Sequence, residues 1–235
     1  MKNKLRVIAI NSVLLILFAA LGSISYAQTE GFNVKTPIEK ISDAATKFLK
    51  NIIDDAMKEP KKSIPMDMVC SAECFLVIPE IEIVQSRGDY AGTGLLACHV
   101  PNSDTFTEPL FFKINQLKSF YEGGGGLVIL IMDKEGMETI LADEINLTSD
   151  NTCAGKIGTT NNENKTSFLA YAKLKNQQLE GYDLSGSLLE YSSRDTFNAY
   201  QGTVVPIEIL ISPKDVPPVL RDFDSVLVEW TKSCK

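Results

Sequence analysis

The spacing of apolar residues changes several times along the chain, and each change predicts an element of structure. Between Thr36 and Pro60 apolar residues recur every three or four positions, as they do on one face of an amphipathic helix. Thr36 as N-cap, Pro37 at the first helical position and Glu39 in a capping box predict where this helix begins. Pro60 predicts its end, and a shorter helix is predicted over about 63–72.

Beyond residue 74 the apolar positions follow the patterns of β-strands. Antiparallel pairing is the simplest arrangement for these strands. The run 127–132 is apolar at every position and predicts a central strand covered on both faces. The predicted strands are 75–85, 91–100, 108–114, 127–132, 145–148, 152–157, 179–191 and 205–211, with helices starting at Asp133, over 163–175 and around Leu220 to Trp230.

Glycines give two further predictions. Gly123 to Gly126 lead into a strand and lack the Gly-Lys-Ser/Thr that a phosphate loop needs, so they predict a flexible or close-packed turn. Gly186 lies on one face of the predicted strand 179–191. A glycine at such a position predicts the close approach of another backbone segment.

The first 27 residues have the features of a cleaved signal peptide. Lys2, Lys4 and Arg6 precede an apolar run over 7–21, and Ser-Tyr-Ala at 25–27 fits the small-x-small cleavage pattern. The run is short for a membrane-spanning helix, although an uncleaved anchor is the alternative. Because no cysteine lies near the cleavage point, we expect no lipid attachment there. The sequence therefore predicts secretion to the periplasm or cell envelope.

Charge and composition narrow the classes of function. The chain has 23 Lys plus Arg and 30 Asp plus Glu, a net charge of -7, and removal of residues 1–27 takes away three positive charges and leaves -10. This acidity argues against nucleic-acid binding. The sole histidine, His99, follows Cys98 on a predicted strand, where neighbouring side chains point to opposite faces. We therefore expect no enzymatic activity and no cofactor.

Five cysteines, at positions 70, 74, 98, 153 and 234, enter an oxidising compartment if the chain is secreted. The number is odd, so at least one is unpaired or bonded to another chain. Cys70 and Cys74 have no matching second pair and no histidine partner, so we predict no metal site. Cys74 opens one predicted strand and Cys98 closes the next, and an antiparallel hairpin would bring them together. We predict a Cys74–Cys98 disulfide.

The first helix combines an apolar stripe with lysines, which is the pattern of a helix at a membrane surface. The alternative is a helix packed against its own domain. Acidic residues at Asp54, Asp55 and Glu59 dilute the positive face and favour that alternative. The predicted lipid-binding residues are Lys47, Phe48, Lys50, Ile52, Lys61 and Lys62.

Several short motifs follow one another in a recognisable order. They are the apolar stretch 72–79 ending in proline, the glycine-bearing strand 92–99, residues 106–109, the strand and capped helix 127–141, residues 169–171, residues 181–186, and residues 198–202. In this order and spacing they resemble the SYLF family of lipid-binding domains. The departures are Phe106 in place of a tryptophan, His99 in place of an arginine, a shortened glycine-rich stretch, and Asn176 at a glycine position.

The resemblance implies an α+β domain with a curved antiparallel, barrel-like sheet packed with N-terminal and C-terminal amphipathic helices. The chain would comprise a signal peptide (1–27), an amphipathic helix (28–62), the SYLF-like domain (63–202) and a C-terminal strand and helix (203–235). Studied family members bind acidic membrane lipids. The implied function is a non-enzymatic binder of anionic phospholipid or a membrane surface in the bacterial envelope. The alternative is a periplasmic interaction or scaffold module with a protein partner, or a homodimer.

Overall fold

The computed structural model describes residues 36–100, 103, 105–120, 124–141, 144–159, 166–175, 178–210 and 215–234. The chain divides into two compact units, Met1–Val34 and Lys35–Lys235, and all the structure below belongs to the second. The predicted signal peptide and Asn176 lie outside the described residues.

Helices and strands alternate along the second unit. The helices are α1 (Pro37–Lys58), α2 (Met66–Ser71), α3 (Lys134–Ile140), α4 (Ser193–Tyr200) and α5 (Arg221–Thr231). The strands are β1 (Cys74–Ile78), β2 (Glu82–Val84), β3 (Asp89–Cys98), β4 (Leu110–Leu117), β5 (Gly125–Ile131), β6 (Glu144–Asn146), β7 (Thr152–Ala154), β8 (Phe168–Leu174), β9 (Leu179–Gly181) and β10 (Leu188–Tyr191). Short 3-10 turns cover Pro60–Lys62, Pro206–Leu210, Pro218–Leu220 and Lys232–Cys234.

The ten strands form one curled sheet in the order β6-β10-β4-β3-β1-β5-β8-β7, with β2 added to β3 and β9 added to β8. Every pair is antiparallel except β7 with β8. The sheet forms a half-barrel packed with the N-terminal and C-terminal helices, which confirms the predicted α+β class.

Glycines in β3 permit the curl of the sheet. A Cβ atom at Gly94 would overlap the carbonyl oxygen of Val77 on β1, and one at Gly92 would lie 2.5 Å from the carbonyl oxygen of Glu80. The end of β1 and the residues after it therefore lie directly on the backbone of β3. The β3–β4 register also shifts between Tyr90 and Gly92, a bulge that bends the strand further.

The two faces of the sheet carry separate apolar cores. On β1, Phe75 and Val77 join a core beneath α1, α2 and α5, which we call the helix-side core. Leu76 and Ile78 join the opposite core, to which α3 contributes Ile140. All of β1 is buried. Residues 126–131 of β5 are also buried, and the run 127–132 was predicted to form a central strand.

Helix α1 begins as its cap residues predict. The Thr36 hydroxyl accepts a hydrogen bond from the Glu39 amide, and the Thr36 amide donates to the Glu39 carboxylate. The buried face of the helix, including Ala45 and Leu49, packs in the helix-side core. The helix ends at Lys58, just before Pro60.

Four sequence predictions are wrong, each for a physical reason. The predicted helix 163–175 contains strand β8, because both faces of this apolar run are buried beside β5. The predicted strand 205–211 contains a 3-10 turn at Pro206–Leu210, where proline cannot donate to a ladder. The run 179–191 is broken into β9 and β10, and Gly186 supplies a left-handed turn there. Close backbone approach occurs instead at Gly181, against Gly155.

Two tyrosines, the buried Tyr171 and the half-buried Tyr200, compare a hydroxyl without a hydrogen-bond partner with one that has a partner. Burial raises the pKa of both the Tyr171 and Tyr200 phenols above the ordinary value. The Tyr200 hydroxyl donates a hydrogen bond of 2.9 Å to the Pro109 carbonyl oxygen. Among the described residues, the buried Tyr171 hydroxyl has no hydrogen-bond partner.

We expect Tyr200→Phe to lower the free energy of unfolding by about 1 kcal/mol, because a made hydrogen bond is lost. Tyr171→Phe should leave it unchanged or raise it, since no bond is lost. Because both folded-state pKa values are raised, folding favours the neutral phenols. Their contribution to the free energy of unfolding is fully present below about pH 10 and is lost as the pH rises further. Urea denaturation at neutral and alkaline pH checks both points. Equal effects of the two substitutions would contradict this expectation.

Candidate functional site

The structure distributes the predicted lipid-binding residues over different environments. Lys47, Lys50, Lys61 and Lys62 are exposed. Ile52 is only 2% exposed and belongs to the helix-side core, so it does not reach the surface while α1 is docked. Phe48 is half-buried. Its ring lies over β5, where a Cβ atom at Gly126 would come within 2.8 Å of it.

An apolar cleft opens beside the C-terminal half of α1. It has a volume of about 630 Å³ and lies between α1, the segment 60–66 and the end of α5. We call it the methionine cleft, because Met57 is 70% exposed and Met66 is 38% exposed along it. Its other apolar walls include Ile53, Ile64 and Trp230. Its size is that of ordinary small-ligand sites, and methionine side chains adapt easily to irregular apolar partners.

Charged side chains border the methionine cleft. Lys232 and Glu229 line it, and Lys61 and Lys62 lie between its lining residues Pro60 and Ser63. Lys58 follows the lining residue Met57 and itself lines a neighbouring pocket. Lys62 pairs with Glu59. In the described part of the chain, Lys58, Lys61 and Lys232 have no ion-pair partner. A surface with available positive charge thus borders an apolar opening on a chain that is acidic as a whole.

The segment that carries Lys61 is held by its neighbours. The Ser63 hydroxyl donates to the Pro60 carbonyl oxygen at 2.7 Å, and the Gly158 amide donates to the Ser63 carbonyl oxygen at 3.0 Å. Gly158 has a φ of 66°, and a Cβ atom there would overlap the Lys61 carbonyl oxygen. The loop after β7 therefore fixes this side of the cleft before any ligand arrives.

Only one wall of this cleft could be recognised from the sequence. Met57 lies one turn beyond Ile53 and extends the apolar stripe of α1 to an exposed position. Met66 lies beyond Pro60, and Trp230 lies at the other end of the chain. No local pattern shows that these three side chains meet.

Four of the five cysteines form disulfides. Cys98 is bonded to Cys74, the disulfide predicted from the hairpin, and the two residues face each other in the β1–β3 register. His99 forms a β-bridge with Phe106, and the two ring centroids lie 4.2 Å apart. A second disulfide joins Cys70 to Cys234, and Cys153 is in neither bond. Over the described ranges, no group of three or more His, Cys, Asp or Glu side chains could hold a metal ion.

No model of a known protein family matches the chain, and no curated protein is significantly similar to it in sequence. The resemblance to the SYLF family stays a prediction.

Within the described residues, no helix has both the length and the apolarity needed to cross a membrane.

Proposed function

We propose that the protein is a non-enzymatic, membrane-surface-binding protein of the bacterial cell envelope that binds anionic phospholipid at the methionine cleft. The observation that carries this proposal is the exposure of Met57 and Met66 beside lysines that have no ion-pair partner in the described part of the chain. The SYLF-like motifs and the lysine-bearing amphipathic helix support it from the sequence.

The proposed lipid contact lies nearer the C-terminal end of α1 than the residues predicted from the sequence. Met57, rather than Phe48 or Ile52, is the side chain of the docked helix that is available to enter a lipid surface. Lys58 and Lys61 would bind lipid phosphates, at about 1 kcal/mol for each lysine near an anionic surface. The net negative charge of the chain opposes this attraction, so binding should weaken strongly with salt.

The proposed location outside the cytoplasm rests on two observations. The sequence of residues 1–27 has the pattern of a cleaved signal peptide. The two disulfides are compatible with a secreted protein, because such bonds persist in oxidising compartments. Together with the SYLF resemblance, the signal-peptide pattern supports a location in the bacterial periplasm or cell envelope.

Flotation with vesicles tests the proposal. At low salt the wild type should float with vesicles that contain phosphatidylglycerol and stay behind with pure phosphatidylcholine. Met57→Asp with Met66→Asp should abolish flotation, since two charges enter the apolar contact. Lys58→Glu with Lys61→Glu should weaken binding at least about tenfold, because each lysine contributes about 1 kcal/mol.

Matched controls come from the same chain. Ile83 on β2 is 54% exposed and Lys134 begins α3, both outside the methionine cleft. Ile83→Asp and Lys134→Glu should float like the wild type. A wild type that fails to float at low salt, or cleft variants that float as well as these controls, would refute the proposal.

A protein-interaction module is the alternative, and the cysteines give it a specific test. Cys234 is bonded to Cys70, so Cys153 is the residue through which a covalent dimer would form. Non-reducing electrophoresis of the purified protein distinguishes the cases. A dimer that Cys153→Ser abolishes would favour the interaction module.

A further inference from the structure

The two disulfides differ in their access to solvent. Cys74 and Cys98 are completely buried between β1 and β3. Cys70 is exposed on α2, and Cys234 is half-buried in the turn after α5. Thiol–disulfide exchange requires that a thiolate reach a sulfur atom, so the two bonds should react at very different rates.

A second cavity, which shares the lining residues Glu229 and Lys232 with the methionine cleft, leads to the exposed bond. It has a volume of about 720 Å³, and both Cys70 and Cys234 line it. Lys232, two residues before Cys234, lines it as well, and a nearby ammonium group stabilises a leaving thiolate. Glu73 and Glu229 are the acidic residues in its wall, and His99 and Ser103 are also present.

The chain segment that carries Cys234 also borders the methionine cleft. Trp230, Lys232 and Ser233 line the cleft, and the 3-10 turn Lys232–Cys234 follows α5 directly. The Cys70–Cys234 bond ties this turn to α2 across 164 residues of sequence. The turn Lys232–Cys234, which borders the cleft, is therefore attached to α2 through a disulfide that solvent can reach.

We propose that Cys70–Cys234 is a thiol-exchange site whose reduction releases the C-terminal wall of the methionine cleft. A thiolate of an external dithiol attacks one sulfur, the S–S bond breaks, and the departing cysteine thiolate takes up a proton. The second thiol of the reductant resolves the mixed disulfide. The reductant leaves as a disulfide, and the protein gains two electrons and two protons as two thiols. The effect on lipid rests on the proposed function, whereas the exchange does not.

Alkylation after timed reduction tests the exchange. The folded protein is treated with dithiothreitol without denaturant, quenched with iodoacetamide and digested for mass spectrometry. We expect Cys70 and Cys234 to be labelled at least about tenfold faster than Cys74 and Cys98, because the latter pair is buried. Simultaneous labelling of both pairs, or faster labelling of Cys74 and Cys98, would overturn the proposal.

Trp230 reports whether the wall is released, since it is the sole tryptophan and is buried beside Phe75. Selective reduction should shift its emission to the red. Cys70→Ser with Cys234→Ser should show that shift without reductant and no further change with it. Cys153→Ser should behave as the wild type. Reduction that leaves the Trp230 emission unchanged would overturn the release step.

Flotation of the oxidised and reduced protein separates this inference from the proposed function. If the wild type floats, selective reduction should change its vesicle affinity at least about threefold, since one wall of the binding cleft is lost. An unchanged affinity would overturn the link between the bond and the cleft. A wild type that never floats would refute lipid binding, while the alkylation and fluorescence results would still decide the exchange and the release.

Discussion

Replacing Gly94 with alanine should lower the free energy of unfolding by about 3 kcal/mol, at the upper end of the usual cost of overpacking. The added methyl group would overlap the Val77 carbonyl oxygen, and the adjacent Ile78 Cα also lies within contact distance. Both are backbone atoms at the centre of the sheet, so no side-chain rotation can relieve the overlap. Relief requires β1 to move away from β3, which disturbs both cores.

Urea denaturation, followed by circular dichroism and Trp230 fluorescence, measures this cost. Gly202→Ala is the matched control, because a Cβ atom at Gly202 would meet nothing closer than 3.9 Å. The control should change stability by no more than about 0.5 kcal/mol. Similar midpoints for the two variants would show that contact with β3 does not determine the curl of the sheet.

Phe75→Ala should destabilise the protein by about 3–5 kcal/mol, the usual cost of removing a fully buried aromatic ring. The Phe75 ring centroid lies 5.7 Å from that of Phe106 and 5.5 Å from that of Trp230. The ring thus joins β1 to the loop before β4 and to α5. Its removal leaves a cavity in the helix-side core and changes the surroundings of the sole tryptophan.

The same chemical change on the surface provides the control. Phe197 on α4 is 51% exposed, so Phe197→Ala should cost less than about 1 kcal/mol. The Trp230 emission should shift in Phe75→Ala and stay constant in Phe197→Ala. If the two substitutions cost the same free energy, Phe75 does not have the central packing role assigned to it.

Features that depend on one segment of the chain, or on two consecutive segments, could be predicted from the sequence. The start of α1 follows from a capping box whose partners are three residues apart. The Cys74–Cys98 bond follows from a hairpin between consecutive strands. Strand β5 was predictable because its uninterrupted apolar run fits a strand that is buried on both faces.

Features that depend on distant segments could not be predicted in this way. Strand β8 resembles a helix in its sequence, and only its burial beside β5 makes it a strand. The Cys70–Cys234 bond joins residues 164 positions apart. The methionine cleft combines α1, the segment after it and the end of α5, and none of the three is a recognisable site alone.

The lengths of the outer strands bear on how readily another chain could add to the sheet. In the described part of the chain, β2, β6, β7 and β9 each pair with only one other strand, and each has three residues. Exposed strand edges template the addition of further chains, and short edges offer few hydrogen bonds for this. The outer strands of the half-barrel therefore offer few backbone groups to which another chain could add as a strand.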